Sequence, residues 1–257
     1  MSQSIERFSS RVENYVKYRP DYPVDIVHFL ERECGVTADS IIADVGSGTG
    51  KLSKIFLANG NIVYGIEPNA GMRAAGERIL SQYSGFKSVD GTAEDTKLPT
   101  SSVDLLTAGQ AFHWFDPLRA KVEAARVVKD GGWAALIWND RKLESTPFLE
   151  DYEALLLKYG TDYQDVRHDK AAAAIEQFYA PEIAKLKVFP NQQMFDFDGF
   201  RGRVLSSSYT PEPHHPTFEA MINELEIIFD RHQDDGRVVF DYDTKVFYAR
   251  VLRKQTV

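Results

Sequence analysis

Cysteine is nearly absent from this chain: Cys34 stands alone in 257 residues. A single thiol closes no internal disulfide and builds no cysteine metal cluster, so Cys34 reads as a small, partly buried apolar side chain. Long hydrophobic runs are missing too; no stretch approaches the ~20 apolar residues that span a bilayer. The N-terminal MSQSIERFSSRVENYVKYRP is polar and has no secretory h-region. Positive charge is in short supply. With 30 Lys and Arg against 38 Asp and Glu, the net charge is −8. No polybasic patch offsets it, so a general attraction to nucleic-acid phosphates is not expected. There is no internal repeat, no low-complexity tract and no linker rich in Gly, Ser or Pro. His, Asp and Glu do not cluster at metal-ligand spacing. Together these absences predict one soluble, cytoplasmic domain over residues 1–257. It has no metal, no membrane and no nucleic-acid partner, and is a monomer or weak dimer.

What is present is ordinary globular composition, 43% hydrophobic and 26% charged, enough for a sizeable core. The first half alternates strand-like and helix-like segments. Strands are expected at 41–45, 62–66, 86–89, 103–108 and 133–138, with helices at 51–59, around 72–79 and at 117–128. Gly60 stands where a helix end takes a left-handed residue, and Asp130-Gly131-Gly132 reads as a turn. This alternation implies an α/β, doubly wound, mostly parallel sheet with ligands at the C-terminal ends of the strands. Beyond Asn139 the pattern changes. Helices are expected at 146–159, 169–179 and 217–232, and strands at 185–189, 194–197 and 244–252. The expected division is an N-terminal lid and first helix over 1–40 and a cofactor-binding core over 41–139. Cap insertions and a sixth strand follow over 140–235, and a last strand over 236–257.

The segment Ala43-Asp44-Val45-Gly46-Ser47-Gly48-Thr49-Gly50-Lys51 carries the chemistry. A phosphate-binding P-loop needs four residues between its first glycine and Gly-Lys, then Ser or Thr. Here three residues separate Gly46 from Gly50, and Leu52, which cannot ligate magnesium, follows the lysine. The dinucleotide fingerprint Gly-x-Gly-x-x-Gly is weakened, because its last glycine position is Lys51. The pattern that fits is Asp-x-Gly-x-Gly-x-Gly, filled by Asp44, Gly46, Gly48 and Gly50. Bare backbone admits a ligand closely, and a carboxylate at the strand end favours an ammonium group and repels phosphate. Glu67, at the end of the second strand, stands where an acidic residue accepts hydrogen bonds from ribose hydroxyls, and Pro68 holds it in extended geometry.

The Asp44-to-Gly50 pattern resembles the first motif of class I S-adenosylmethionine-dependent methyltransferases. Leu98-Pro99-Thr100-Ser101-Ser102-Val103-Asp104-Leu105-Leu106 and Arg126-Val127-Val128-Lys129-Asp130-Gly131-Gly132 resemble that family's approaches to strands four and five. The resemblance implies a seven-stranded Rossmann-like sheet and S-adenosyl-L-methionine as cofactor, leaving S-adenosyl-L-homocysteine as product. It implies cofactor contacts from Asp44, Gly46, Ser47, Gly48, Gly50, Glu67 and Pro68, from Ala93 and Glu94 beside the adenine, and from Gln110. Met72 is placed near the adenine, although its helical spacing also suits the core. Tyr18-Arg19-Pro20-Asp21-Tyr22-Pro23, with Ala111-Phe112-His113-Trp114, resembles the small-molecule branch that includes trans-aconitate methyltransferase-like enzymes. There the N-terminal segment forms a lid. Tyr15, Tyr18 and Arg19 would then border the cofactor, Arg19 meeting its carboxylate.

On the substrate side the aromatic run at the end of strand four excludes water and attracts a sulfonium. His113 is the candidate general base or orienter and Trp114 a pocket wall. Phe112, His113, Arg201 and Arg203 are the candidate substrate contacts, an arginine serving if the acceptor is a carboxylate. Two other readings stay open. One is a protein that binds S-adenosylmethionine without catalysis. The other is a nicotinamide-dependent oxidoreductase, for which neither Gly-x-Gly-x-x-Gly nor a Tyr-x-x-x-Lys pair is found.

Overall fold

The computed structural model describes residues 16–161, 163, 171–207 and 209–252. Tyr15, expected at the cofactor, lies outside the described residues. In chain order the elements are α1 (Asp25–Cys34), β1 (Ile41–Val45), α2 (Lys51–Ala58), β2 (Ile62–Ile66), α3 (Ala70–Ile79) and β3 (Phe86–Val89). Then come β4 (Val103–Gly109), α4 (Pro117–Val127), β5 (Val128–Arg141), α5 (Pro147–Tyr159) and α6 (Ala171–Tyr179). The chain finishes with β6 (Lys185–Phe195), α7 (Phe197–Leu205), α8 (Phe218–His232) and β7 (Val238–Arg250). The strands form one seven-stranded sheet in the order β3-β2-β1-β4-β5-β7-β6. β1 to β5 are parallel, and β7 runs antiparallel to β5 and β6.

The central strands are apolar at nearly every position because both sheet faces are covered. Ile42 of β1 and Leu105 of β4 pack with Ile26 and Leu30 of α1 and Phe56 of α2. Their neighbours Ala43 and Leu106 point the other way, into a second core with Ala124 of α4 and Phe178 of α6. Strand order reverses between β1 and β4, so the ligand crevice falls at their C-terminal ends.

A third core lies beyond that edge. β7 pairs with β5 only from Tyr242, opposite Arg141, whereas its first residues, from Val238, pair with β6 alone. The β6–β7 ribbon therefore projects past the end of β5. Phe240 on this projection and Tyr242 at its base pack with Phe148 and Tyr152 of α5, Phe200 and Val204 of α7, and Leu225 of α8. No helix among the described residues is long and apolar enough to cross a membrane.

Four local expectations are corrected. Asp130-Gly131-Gly132 does not end an element but bulges within β5. Val103 pairs with Val128 and Leu105 with Trp133, and Gly131 absorbs the excess chain at φ +77. The two short strands at 185–189 and 194–197 are one strand. Pro190 is tolerated because β6 is the sheet edge. Asp196 ends that strand and caps α7, accepting the N–H of Gly199 at 2.8 Å. The last strand begins at Val238 rather than 244. Val238, Phe240 and Tyr242 are buried, with the more exposed Val239 and Asp241 between them, the period-two signal of a half-buried strand.

Candidate functional site

Between β1 and α2 the chain turns through Gly46, Gly48 and Gly50 at φ +67, +57 and +83, a conformation cheap only for glycine. Space adds a second constraint at Gly46, where a Cβ would stand 2.5 Å from the Cβ of Ala111. The N–H groups of Gly46 and Ser47 donate to the carbonyl of Ile66 at 2.8 and 3.1 Å, fastening the loop to the tip of β2.

Two carboxylates hold this loop. Asp44 is fully buried and accepts hydrogen bonds from Ser53 Oγ at 2.6 Å and Thr107 Oγ1 at 3.4 Å. Burial pushes its carboxyl up to about 7, although both hydroxyls oppose the shift. Glu67 is also buried and was expected to stand ready for ribose. Instead Oε2 accepts the N–H of Gly48 at 2.9 Å and Oε1 the N–H of Asn69 at 2.8 Å. Burial raises its carboxyl as well, against those two bonds and Arg73. Each carboxylate oxygen accepts more than one bond, so Glu67 shapes the loop and retains capacity for a ligand.

At the tip of β4, Gln110 adopts φ +54, strained for a non-glycine residue. Its N–H donates to Ile137 at 2.9 Å and its Nε2 to the carbonyl of Asn139 at 3.1 Å. A 3₁₀ turn, Phe112–Trp114, follows. It splits the aromatic run. His113 and Trp114 face outward with ring centroids 4.6 Å apart. Phe112 turns inward, packing edge-on against Trp138 and Phe178. The expectation that Phe112 touches substrate is therefore corrected, because the short helix directs it into the sheet core.

These loops open on a cavity of ≈ 410 Å³. One wall carries Asp44, Gly46, Ser47, Gly48 and Thr49, and another Gly109, Gln110, His113 and Trp114. The lining also holds cationic and phenolic side chains, Arg19, Arg141, Arg203, Tyr163, Tyr209 and Tyr242, beside Asp140. Arg141 pairs with Glu153, donates to Tyr163 Oη at 3.0 Å and lies 4.7 Å over the Tyr152 ring. Arg203, on α7, is 4% exposed. Its Nε donates to Tyr242 Oη and its Nη1 to Ser207 Oγ, each at 3.2 Å. Arg19 donates to the carbonyl of Ser206 at 3.1 Å and to the same Ser207 Oγ at 3.3 Å.

Asp44, Gly46, Ser47, Gly48, Arg19, Gln110, His113, Trp114 and Arg203 thus meet around one space, as their assignment to a single site requires. Other expected contacts lie elsewhere. Gly50 backs onto Leu80, and Pro68 is exposed. Met72 is buried behind the loop, its Cε 3.7 Å from where a Gly48 Cβ would stand. Ala93 is buried, and Glu94 accepts the N–H of Asp116 at 2.9 Å. Tyr18 lays its ring on the backbone of Gly202, where a Cβ would come within 2.1 Å of it. Arg201 is exposed and lines no part of the cavity. Sequence reasoning missed Arg141, Tyr163, Tyr209 and Tyr242. For Arg141 the signal was polar Asn139-Asp140-Arg141 continuing the strand past Trp138. Among the described residues no group of three or more His, Cys, Asp or Glu is placed to hold a metal ion.

A methyltransferase domain profile matches residues 43–136, which span the glycine loop through β5. An uncharacterized methyltransferase of Schizosaccharomyces pombe is 35% identical over 248 residues, covering 93% of this chain and 95% of its own. A second protein of that yeast, named as methyltransferase-like, is 28% identical over 254 residues, covering 95% and 94%. Among solved structures, a chain named as a type II methyltransferase from Anaeromyxobacter dehalogenans superposes with a TM-score of 0.68 at 18% identity. It covers 92% of this chain and 99% of its own, a likeness of fold. Glycine loop, strand order and near full-length relatives converge: the chain belongs to the S-adenosylmethionine-dependent methyltransferases.

Proposed function

We propose that the chain methylates a small molecule in this cavity, with a carboxylate oxygen as acceptor, and that it belongs to the small-molecule branch that includes trans-aconitate methyltransferase-like enzymes. The observation that carries this reading is one ≈ 410 Å³ space joining the Asp44–Gly48 loop to a wall of arginines and tyrosines. The net charge of −8 supports a small-molecule partner over nucleic acid, and the reading takes the protein as a cytoplasmic monomer or weak dimer.

The residues present suit S-adenosyl-L-methionine. Thr49 Oγ1, in the loop, is buried with no hydrogen-bond partner among the described residues, polar capacity that such a ligand would use. In this reading Asp44 takes the ammonium of the cofactor's amino-acid end, Gly46 to Gly48 leave room beside it, and Glu67 serves the ribose. When bound, the cofactor supplies a methyl group on sulfonium sulfur; an acceptor oxygen lone pair forms the O–C bond and the S–C pair returns to sulfur. Opposite charges cancel and no proton moves, so the chain aligns the reactants and excludes water. His113 and Trp114 wall the acceptor, and His113 is not required as a base for an ionised carboxylate.

Incubation with S-adenosylmethionine and a panel of carboxylic acids, phenols and amines, read by mass spectrometry, tests the proposal. A gain of one methyl on an acid supports it. Tight S-adenosylhomocysteine binding with no methylation across the panel would shift the assignment to a non-catalytic binding protein.

A further inference from the structure

Tyr209 is one of the phenols that line the cavity, in the loop after α7, and its surroundings set it apart. Its carbonyl accepts the N–H of Thr161 at 2.9 Å and the Thr161 hydroxyl at 3.3 Å, and its ring packs against Tyr163 with centroids 4.9 Å apart. Its phenol oxygen meets Ser207. Ser207 Oγ accepts Nη1 of Arg203 at 3.2 Å and Nη2 of Arg19 at 3.3 Å. Those two bonds use both lone pairs of the hydroxyl, so its single proton is left to donate, and it goes to the Tyr209 hydroxyl. An O–H aimed at a phenol oxygen favours the ionised form of that phenol. Charge reaches Tyr209 from three further places: Arg203 on α7, Arg19 before α1, and Arg141 on β5. Glu153 compensates Arg141, whereas the charges facing Arg203 are phenols, Tyr242, Tyr152 and Tyr209. Burial alone would raise the Tyr209 phenol, but Arg203, Arg19, Ser207 and Arg141 outweigh it and hold it below the ordinary tyrosine value. Its neighbours go the other way, since burial raises Tyr163 and pushes Tyr152 up to about 12.

We infer that Tyr209 is a proton acceptor in this cavity and that it gives the enzyme a further activity, methyl transfer to weakly acidic phenols. This rests on the methyl-transfer reading above and goes beyond its carboxylate acceptor, which has no proton to lose. In the step, the acceptor O–H proton passes to the phenolate oxygen of Tyr209, the acceptor lone pair forms the O–C bond, and the S–C pair returns to sulfur. The positive charge of the sulfonium and the negative charge of the phenolate cancel, leaving an ether, a thioether and a neutral tyrosine. Solvent takes the tyrosine proton before the next turnover. A phenol suits this base because the groups that give and take the proton are alike, the matching on which general base catalysis depends. A protonated amine is disfavoured, because three guanidinium groups repel it.

The test uses the full chain. Ultraviolet difference spectra of the S-adenosylhomocysteine-loaded protein across pH read tyrosinate formation directly. Wild type is expected to show one tyrosine ionising at lower pH than the rest. Tyr209→Phe should lose that transition, and Ser207→Ala should move it to higher pH. Turnover with S-adenosylmethionine is then followed by mass spectrometry on a weakly acidic phenol, para-cresol, and on an acceptor already ionised, para-nitrophenolate. Tyr209→Phe should slow para-cresol by at least ~10²-fold, the lower bound of general base catalysis, and para-nitrophenolate far less. Ser207→Ala should slow para-cresol selectively to a smaller degree, which supports the base even if Tyr209→Phe does not fold. Absence of the early transition in wild type, its persistence in Tyr209→Phe, equal slowing of both phenols, or no methylation of para-cresol by wild type overturns the proposal. Failure of wild type to bind S-adenosylhomocysteine overturns the methyl-transfer reading itself.

Discussion

Ser53 Oγ donates a 2.6 Å hydrogen bond to Asp44, and both residues have no exposed surface. The carboxyl, held at about 7 by burial, is therefore partly protonated at neutral pH. A bound ammonium would keep it ionised. Binding then displaces a proton below about pH 7, and affinity for S-adenosylhomocysteine should rise with pH, by up to ~10-fold per unit, and level off above about 7. The unliganded fold behaves oppositely. Its carboxyl is raised above the unfolded value, so the stability it contributes is present at low pH and lost as pH rises through about 7. Calorimetry and thermal melts across pH check both signs, and Asp44→Asn should abolish both trends. A flat affinity profile in wild type would place the ammonium elsewhere.

Glu67→Gln retains size but turns one carboxylate oxygen, an acceptor, into an amide donor facing the N–H of Gly48 or Asn69. Cofactor affinity should fall by about 10- to 100-fold, the scale of one or two charge-assisted hydrogen bonds. The circular dichroism spectrum should be preserved. Unchanged affinity would mean that the loop holds its shape without this carboxylate.

Gly46→Ala meets two obstacles together, φ +67 and the Cβ of Ala111 at 2.5 Å. The variant is expected to lose about 1–3 kcal/mol of stability and most of its cofactor affinity. Denaturant unfolding with parallel titration measures both. A variant as stable as wild type that still binds would show that the loop relaxes freely.

His113→Ala separates wall from base. For a carboxylate acceptor, turnover should drop by no more than about 10-fold, below the ~10²–10⁴ range of general base catalysis, and the pH profile should keep its shape. Loss of turnover beyond that range with intact cofactor binding would assign His113 the base and the acceptor a proton to lose.

The glycine loop was legible because its chemistry is local. Three left-handed residues in one short turn favour glycine at each, and an apolar strand with aspartate next to its last residue precedes them. The central strands were legible for the same reason, each a short apolar run. The acceptor wall depends on distant packing. Arg201 and Arg203 stand two residues apart on α7, and only the helix face decides between them. Phe200 and Val204 mark the buried face, and Arg203 lies with them. The 3₁₀ turn that sends Phe112 inward and His113 outward leaves no periodic trace over three residues. Arg141 and Tyr242 meet the cavity because β5 and β7 run on in register past the point where the apolar run stops.

The β6–β7 ribbon projecting beyond β5 gives this enzyme a two-part architecture with a seam. In the proposed reading the glycine loop that takes the donor is anchored to the tips of β1 and β2. Arg203 and Tyr242, which would choose the acceptor, ride on the outlying hairpin and the helix packed upon it. Exchange of that outlying module between relatives should retarget the enzyme while leaving its appetite for the methyl donor intact.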